Sequence, residues 1–122
     1  MGNLILVVED DKAIREAMQQ SLVFLGYHVS VVSNGQEALD FLRSQERRPC
    51  LIYLDITMPV MDGWEFRVQQ QQDAALADIP VVVVTADGNA SAKAQKMNVQ
   101  EGLRKPLDFD VLLETTRKYC SH

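Results

Sequence analysis

The sequence has no apolar run approaching the length of a membrane span, and its opening, MGNLILVVEDD, is too short and too quickly acidic for a secretory signal. A cytoplasmic protein is expected. Cysteine is scarce. Cys50 and Cys120 have no metal-ligand spacing and are read as free thiols in a reducing compartment, with pairing between them left open. Bases are outnumbered, 12 against 17 acids, and the net charge of −5 argues against a nucleic-acid surface while suiting a site that gathers acids around a cation. Linkers and internal repeats are missing as well. The one biased stretch is the glutamine run at 69–72, read as a solvated helix face.

What is present is an ordinary globular composition, 47% hydrophobic and 24% charged over 122 residues, enough to bury a core and too short for two. One domain over 1–122 is expected. Five β-branched or aliphatic runs read as strands: Leu4–Val8, His28–Val32, Leu51–Leu54, Val81–Val84 and a weak Leu103–Arg104. Between them lie helical stretches. At 12–25, Ile14, Ala17, Met18, Leu22 and Leu25 share one face, with Asp11 as N-cap and Gly26 as stop. A second helix at 35–44 carries Ala38, Leu39 and Leu42, and a last one at 108–119 carries Phe109, Leu112, Leu113 and Thr116 behind the cap Asp108. The segments 62–74 and 89–98 are weaker helices, the latter with only Ala90, Ala94 and Met97 as a stripe. Strands alternating with helices indicate a parallel sheet covered on both faces, which nearly uninterrupted apolar strands such as LILVV and VVVV suit.

In such a sheet, functional groups collect at the carboxyl edge, where the loops line a crevice. The first strand ends in Glu9-Asp10, the third in Asp55, the fourth in Thr85-Ala86 and the fifth in Lys105-Pro106; only the second, ending in SNG, looks like a plain turn. Three carboxylates brought together repel one another by roughly 4 kcal/mol per pair at about 4 Å and an effective dielectric near 20. A hard divalent cation offsets that repulsion. Mg²⁺ suits all-oxygen ligands and keeps waters for a phosphoryl partner. Three carboxylates, Mg²⁺ and Lys105 then sum to zero charge, and the fixed positive groups are placed for the added charge if Asp55 accepts a phosphoryl group.

The segments ILVVEDD, LDITMPVMDG, VVVVTAD and LRKPLD resemble, in order and spacing, the receiver (CheY-like) domain of two-component response regulators, over essentially the whole chain. The resemblance implies a flavodoxin-like α/β fold, a doubly wound (βα)5 unit whose five-stranded parallel sheet has the order 2-1-3-4-5. It implies Asp55 as phosphoacceptor, with Asp10, Asp55, Glu9 through water and the backbone carbonyl of Thr57 as Mg²⁺ ligands. Thr85, Ala86 and Thr57 would meet the phosphoryl oxygens and Lys105 would pair with them, turned inward by a cis Lys105-Pro106 bond. Pro59 would fix the loop that presents the Thr57 carbonyl, Asp62-Gly63 is turn and helix cap, and Thr57 and Asp87 flank the path of a hydrolytic water.

The implied function is transfer of a phosphoryl group from a partner phosphohistidine to Asp55, switching protein–protein contacts, in a signalling switch and not a turnover enzyme. The donor would be a sensor histidine kinase or histidine phosphotransfer protein and the output a downstream protein effector, with no nucleic acid or membrane bound directly. His28, on the second strand, and the terminal His122 are both badly placed to donate. Two other readings remain: a degenerate receiver acting as a phosphorylation-independent binding module, and a Mg²⁺-dependent aspartyl-phosphate hydrolase. Against the hydrolase, Thr57 stands where a second acid is wanted. Against a flavin domain, EDDKA would repel phosphate. A stand-alone receiver and a piece of a longer chain are both compatible with the sequence. One departure from the family stands out. The usual tyrosine or phenylalanine three residues before the lysine is Gly102, so either the change at Thr85 is expressed through backbone movement of 86–98 or the domain has little conformational output, as a phosphate relay would.

Overall fold

The computed structural model describes residues 3–44 and 47–120; His122 lies outside them. Strands and helices alternate: β1 (Leu4–Val8), α1 (Lys12–Phe24), β2 (His28–Val32), α2 (Gly35–Ser44), β3 (Leu51–Asp55), α3 (Gly63–Gln72), β4 (Val81–Thr85), α4 (Ala90–Met97), β5 (Glu101–Arg104) and α5 (Phe109–Tyr119). All strand pairs are parallel and the order is β2-β1-β3-β4-β5. This is the flavodoxin-like arrangement. The third and fourth strands run one residue further than the apolar pattern, taking in Asp55 and Thr85, and the fifth begins two residues earlier at Glu101.

Alternation along the buried strands builds two cores. Leu6, Val8, Ile52, Leu54, Val81 and Val83 face α2, α3 and α4. Ile5, Val7, Leu51, Tyr53, Val82 and Val84 face α1 and α5. Burying each such side chain contributes about 1.5–3 kcal/mol, which is why β1, β3 and β4, buried along their whole length, form the centre while half-exposed β2 forms an edge. Tyr53 adds a polar tie to this core: its hydroxyl lies 2.7 Å from Thr116 Oγ1 on α5. Burial pushes that phenol well above its ordinary range.

Two expectations need correction. The glutamine run is not wholly solvated. Gln70 is fully buried, its Nε2 donating to the Leu76 and Ile79 carbonyls at 3.0 and 3.1 Å and its Oε1 accepting from Arg67 at 2.7 Å. A polar group can be buried when each of its atoms finds a partner. Cys50 and Cys120 are not free thiols either. They form a disulfide, because the start of β3 and the end of α5 bring their Cα atoms to 5.4 Å.

Candidate functional site

The sheet register sets four strand tips side by side. Val8 is opposite Leu54, Asp55 opposite Val84 and Thr85 opposite Arg104, so Glu9, Asp55, Thr85 and Lys105 emerge at one edge. Local hydrogen bonds then orient them. The Asp11 amide donates to Glu9 Oε2 at 3.1 Å, folding that carboxylate inward, and Asp11 Oδ1 caps α1 by accepting from the Ile14 amide. Arg15 Nη1 reaches back to the Glu9 carbonyl at 3.0 Å. Glu9 and Asp55 are buried, while Asp10 is exposed.

Ligand oxygens of Glu9, Asp10 and Asp55 all lie within 4.8 Å of one another. Lys105 Nζ closes the cluster, 2.7 Å from Glu9 Oε1 and 3.2 Å from Asp55 Oδ1. The Lys105-Pro106 bond is cis. Burial first, then the charge of Glu9, pushes the Asp55 carboxyl up to about 7 against the pull of Lys105. Burial works against the charge of Lys105, but the Glu9 hydrogen bond and the two carboxylates outweigh it and hold the ammonium above its ordinary range. A buried acid that carries its charge reluctantly beside two others is a set of hard oxygen donors short of positive charge, which fits a divalent cation.

The cleft that holds these groups is lined by Glu9, Asp10, Asp55, Thr57, Thr85, Ala86, Asp87 and Lys105, so the residues read as metal ligands, phosphoryl contacts and water-path neighbours meet there, while Pro59, Asp62, Gly63, Gly102 and Pro106 stand outside its lining. Thr85 is buried and its Oγ1 accepts from the Asp87 amide at 3.2 Å, whereas Thr57 and Ala86 are exposed at the rim. Gly63 has a tighter role than a turn. A Cβ there would stand 2.6 Å from the Asp55 carbonyl, and its own amide donates to the Ile56 carbonyl at 2.8 Å, so only glycine lets α3 start against the strand that carries the acid. Asp62 caps α3 in a reciprocal capping box with Glu65.

Residues 5–117 match the family model described as the response regulator receiver domain. The chain belongs to that family. The receiver is 38% identical over 115 residues to response regulator MprA of Mycolicibacterium vanbaalenii, covering 93% of this chain and 48% of that protein. It thus spans about half the length of the curated relatives it matches. Among solved structures it is similar to the signal receiver domain of a signal transduction histidine kinase from Syntrophus aciditrophicus, at 30% identity and a TM-score of 0.85, covering 96% of this chain and 89% of that one. It is also similar to the Mn²⁺-bound form of response regulator Rcp1, at 30% identity and a TM-score of 0.77, covering 95% and 90%.

Three participants in the receiver were missed in the sequence. Arg15 ties α1 to the Glu9 and Asp10 carbonyls, and its signal was its place on the first turns after the acidic pair. Lys93 of α4 pairs with Asp87, and Arg67 reaches from α3 to the end of α4. Neither pairing was read from the sequence: Asp87 stands in the loop six residues before Lys93, and the carbonyl that Arg67 meets at the end of α4 is thirty residues on. No helix among the described residues is long and apolar enough to cross a membrane.

Proposed function

We propose that this receiver accepts a phosphoryl group on Asp55 from a partner phosphohistidine and thereby switches its contacts with a downstream protein. The observation that carries this is the convergence of one buried carboxylate, two neighbouring acids and one lysine at the edge of the sheet. Among the strand tips, Asp55 alone combines burial, a strongly raised pKa and direct contact with a cation. That is the environment of an acid kept for chemistry.

In the transfer, a deprotonated Asp55 oxygen forms the new bond to phosphorus as the phosphorus–nitrogen bond to the donor imidazole breaks, its electron pair leaving with the nitrogen. Lys105 offsets the charge spread over the equatorial oxygens, and buried Thr85 contacts them together with Ala86 and Thr57 at the rim. Glu9, Asp10, Asp55 and the Thr57 carbonyl would hold a divalent cation, Mg²⁺ by the chemistry of an all-oxygen set; the Mn²⁺-bound relative supports the choice of a hard ion. When bound, the ion supplies positive charge that lowers the Asp55 pKa and offsets the incoming phosphate. Return to the resting state needs water to attack phosphorus, releasing inorganic phosphate and restoring the carboxylate, with Thr57 and Asp87 flanking its path. The partners are then a sensor histidine kinase or a histidine phosphotransfer protein and a protein effector, acting in the cytoplasm.

The test is intact mass after incubation with Mg²⁺ and acetyl phosphate. One phosphoryl adduct on the wild type, absent from Asp55→Asn and from a chelator control, is expected. No adduct with any donor would leave a binding module, and rapid turnover of unrelated phosphoesters would point to a hydrolase.

A further inference from the structure

The Cys50–Cys120 disulfide sits at the amino edge of the sheet, opposite the cleft: Cys50 stands immediately before β3, and Asp55 ends that strand. In the cytoplasm, where this receiver is proposed to act, disulfides are rare, and those that occur are mostly transient or redox-sensing. The two sulfurs differ in access. Cys120 is 5% exposed within the core beside α1 and α5, whereas Cys50 is half-buried at its margin. Exchange needs access to the sulfur under attack, so a thiolate from solution reaches Cys50 first. Positive charge stands at this entrance. Arg47 and Arg48, both exposed, precede Cys50 by three and two residues. Arg47 Nη2 donates to Asn3 Oδ1 at 3.0 Å, next to Leu4, whose carbonyl lies 3.3 Å from Cys50 Sγ. Cationic side chains beside a sulfur favour thiolates and attract an anionic thiol.

The bond ties the last turn of α5 to the start of β3, and separate contacts hold the rest of that helix. Asp108 Oδ1 caps its first turn by accepting from the Val111 amide at 2.8 Å, and the Tyr53 hydroxyl lies 2.7 Å from Thr116 Oγ1. The Tyr119 hydroxyl donates to Glu101 Oε2 at 2.6 Å. The disulfide is therefore one fastening among several. Its equilibrium follows from the loop it closes. A flexible chain brings two of its groups together at about millimolar effective concentration. A cross-link that stabilises the fold is favoured by the fold in return, by the same factor, roughly 30- to 800-fold for the 70-residue separation here. The product places the balance between open and closed at a glutathione ratio, [GSH]²/[GSSG], between about 0.01 and 1 M.

We infer that Cys50–Cys120 is a thiol–disulfide exchange site for a small anionic thiol of the glutathione class, a redox input separate from Asp55. A glutathione thiolate attacks Cys50 Sγ; the bond between the two protein sulfurs breaks, and its electron pair leaves on Cys120 Sγ, which takes a proton from water. Cys50 then carries the mixed disulfide. A second thiolate attacks the glutathione sulfur, releasing glutathione disulfide and leaving Cys50 to take a proton. Two glutathione thiols are oxidised and two protein cysteines reduced. Opening frees the Cys120 end of α5 while its capped first turn and the Tyr53–Thr116 contact keep the helix in place.

Intact mass of the full chain tests the site, after equilibration in glutathione buffers and trapping of free thiols with N-ethylmaleimide in urea. The wild type should pass from no alkylated cysteine to two with a midpoint ratio between about 0.01 and 1 M, and a midpoint outside that range would overturn the site. Fragment masses of the trapped mixed disulfide should place glutathione on Cys50; glutathione on Cys120, or shared evenly, would overturn the entrance. At low salt Arg47→Gln/Arg48→Gln should open about threefold more slowly with glutathione and at an unchanged rate with uncharged 2-mercaptoethanol. No slowing, or equal slowing with both thiols, would overturn the anionic thiol. On reduction the Cys120 amide, which donates to the Thr116 carbonyl, should exchange about tenfold faster and the Val111 amide should not change. An unchanged Cys120 amide, or acceleration of both, would overturn the local release. Asp55→Asn should keep the wild-type midpoint, so the outcome stands even if Asp55 takes no phosphoryl adduct; a shifted midpoint would overturn the independence of the two inputs.

Discussion

Lys105 lies closer to Glu9 than to Asp55, 2.7 Å against 3.2 Å, so the lysine neutralises the acid on the first strand before the one on the third. Burial of Asp55, and then the charge of Glu9, outweigh the pull that Lys105 has left for it, and its carboxyl rises from an ordinary 3.8 to about 7. Between those values the native state holds a proton that the unfolded chain has released. Stability in chelator should therefore fall as pH rises through this window, with the loss complete above about 7. Asp55→Asn removes the effect. The variant should match the wild type near pH 4 and exceed it by about 2–4 kcal/mol at pH 8, read from urea midpoints. Parallel pH profiles for the two proteins would show that the acids do not oppose one another.

Adding a divalent cation should reverse this deficit. Three acids with ligand oxygens within 4.8 Å gain most when positive charge enters between them. At about 100 times its dissociation constant Mg²⁺ should stabilise the fold by about 2.7 kcal/mol. Asp10→Asn is the selective probe, because Asp10 is exposed and its loss leaves the core untouched. It should weaken Mg²⁺ binding about tenfold or more with little change in chelator, followed by thermal shift against Mg²⁺ concentration. An Mg²⁺ response unchanged in Asp10→Asn would remove that residue from the ligand set.

How far the sequence foretold this site follows from the range of the interactions. The strand tips were legible because strand period and strand ends are local, and a sheet order of 2-1-3-4-5 turns four such ends into one cleft. Asp11, Asp62 and Asp108 could be read as caps since each bonds an amide three residues on. Gln70 could not, because what makes its burial tolerable are the carbonyls of Leu76 and Ile79 and the guanidinium of Arg67. Arg67 in turn depends on where α4 ends, about thirty residues away. The tight fit at Gly63 and Gly102 was equally hidden, since glycine in a sequence shows freedom of backbone but not what presses against it.

Val60 carries a local strain that can be relieved. Its φ is 67°, and the Met61 amide donates to the Pro59 carbonyl at 2.7 Å across it, closing a three-residue turn. A positive φ costs a non-glycine residue roughly 1–2 kcal/mol, and a β-branched side chain is among the worst suited to it. Val60 is 81% exposed, so no packing offsets that cost. Val60→Asn should raise stability by about 0.5–1 kcal/mol; Val60→Gly should gain less, because glycine also frees the unfolded chain. Urea unfolding of the three proteins decides the order, and a destabilised Val60→Asn would show that the valine side chain packs in solution and outweighs the backbone strain.

The Cys50–Cys120 disulfide makes the last strand-to-helix contact covalent. Cys50 stands immediately before β3 and Cys120 caps α5, 70 residues later in the chain. Closing a loop of that length restricts the unfolded chain by an amount worth about 4 kcal/mol in the entropic account, and measured effects run about 2–4 kcal/mol. Reduction should therefore lower stability by about that much while leaving the native fold in place. The Leu4 carbonyl, 3.3 Å from Cys50 Sγ, is then available to a thiol proton. Cys50→Ala should show the same loss and no further response to dithiothreitol. Paired urea titrations with and without the reductant measure both, and a wild type indifferent to dithiothreitol would show that the two sulfurs are unbonded in solution, returning them to the free thiols first read from the sequence.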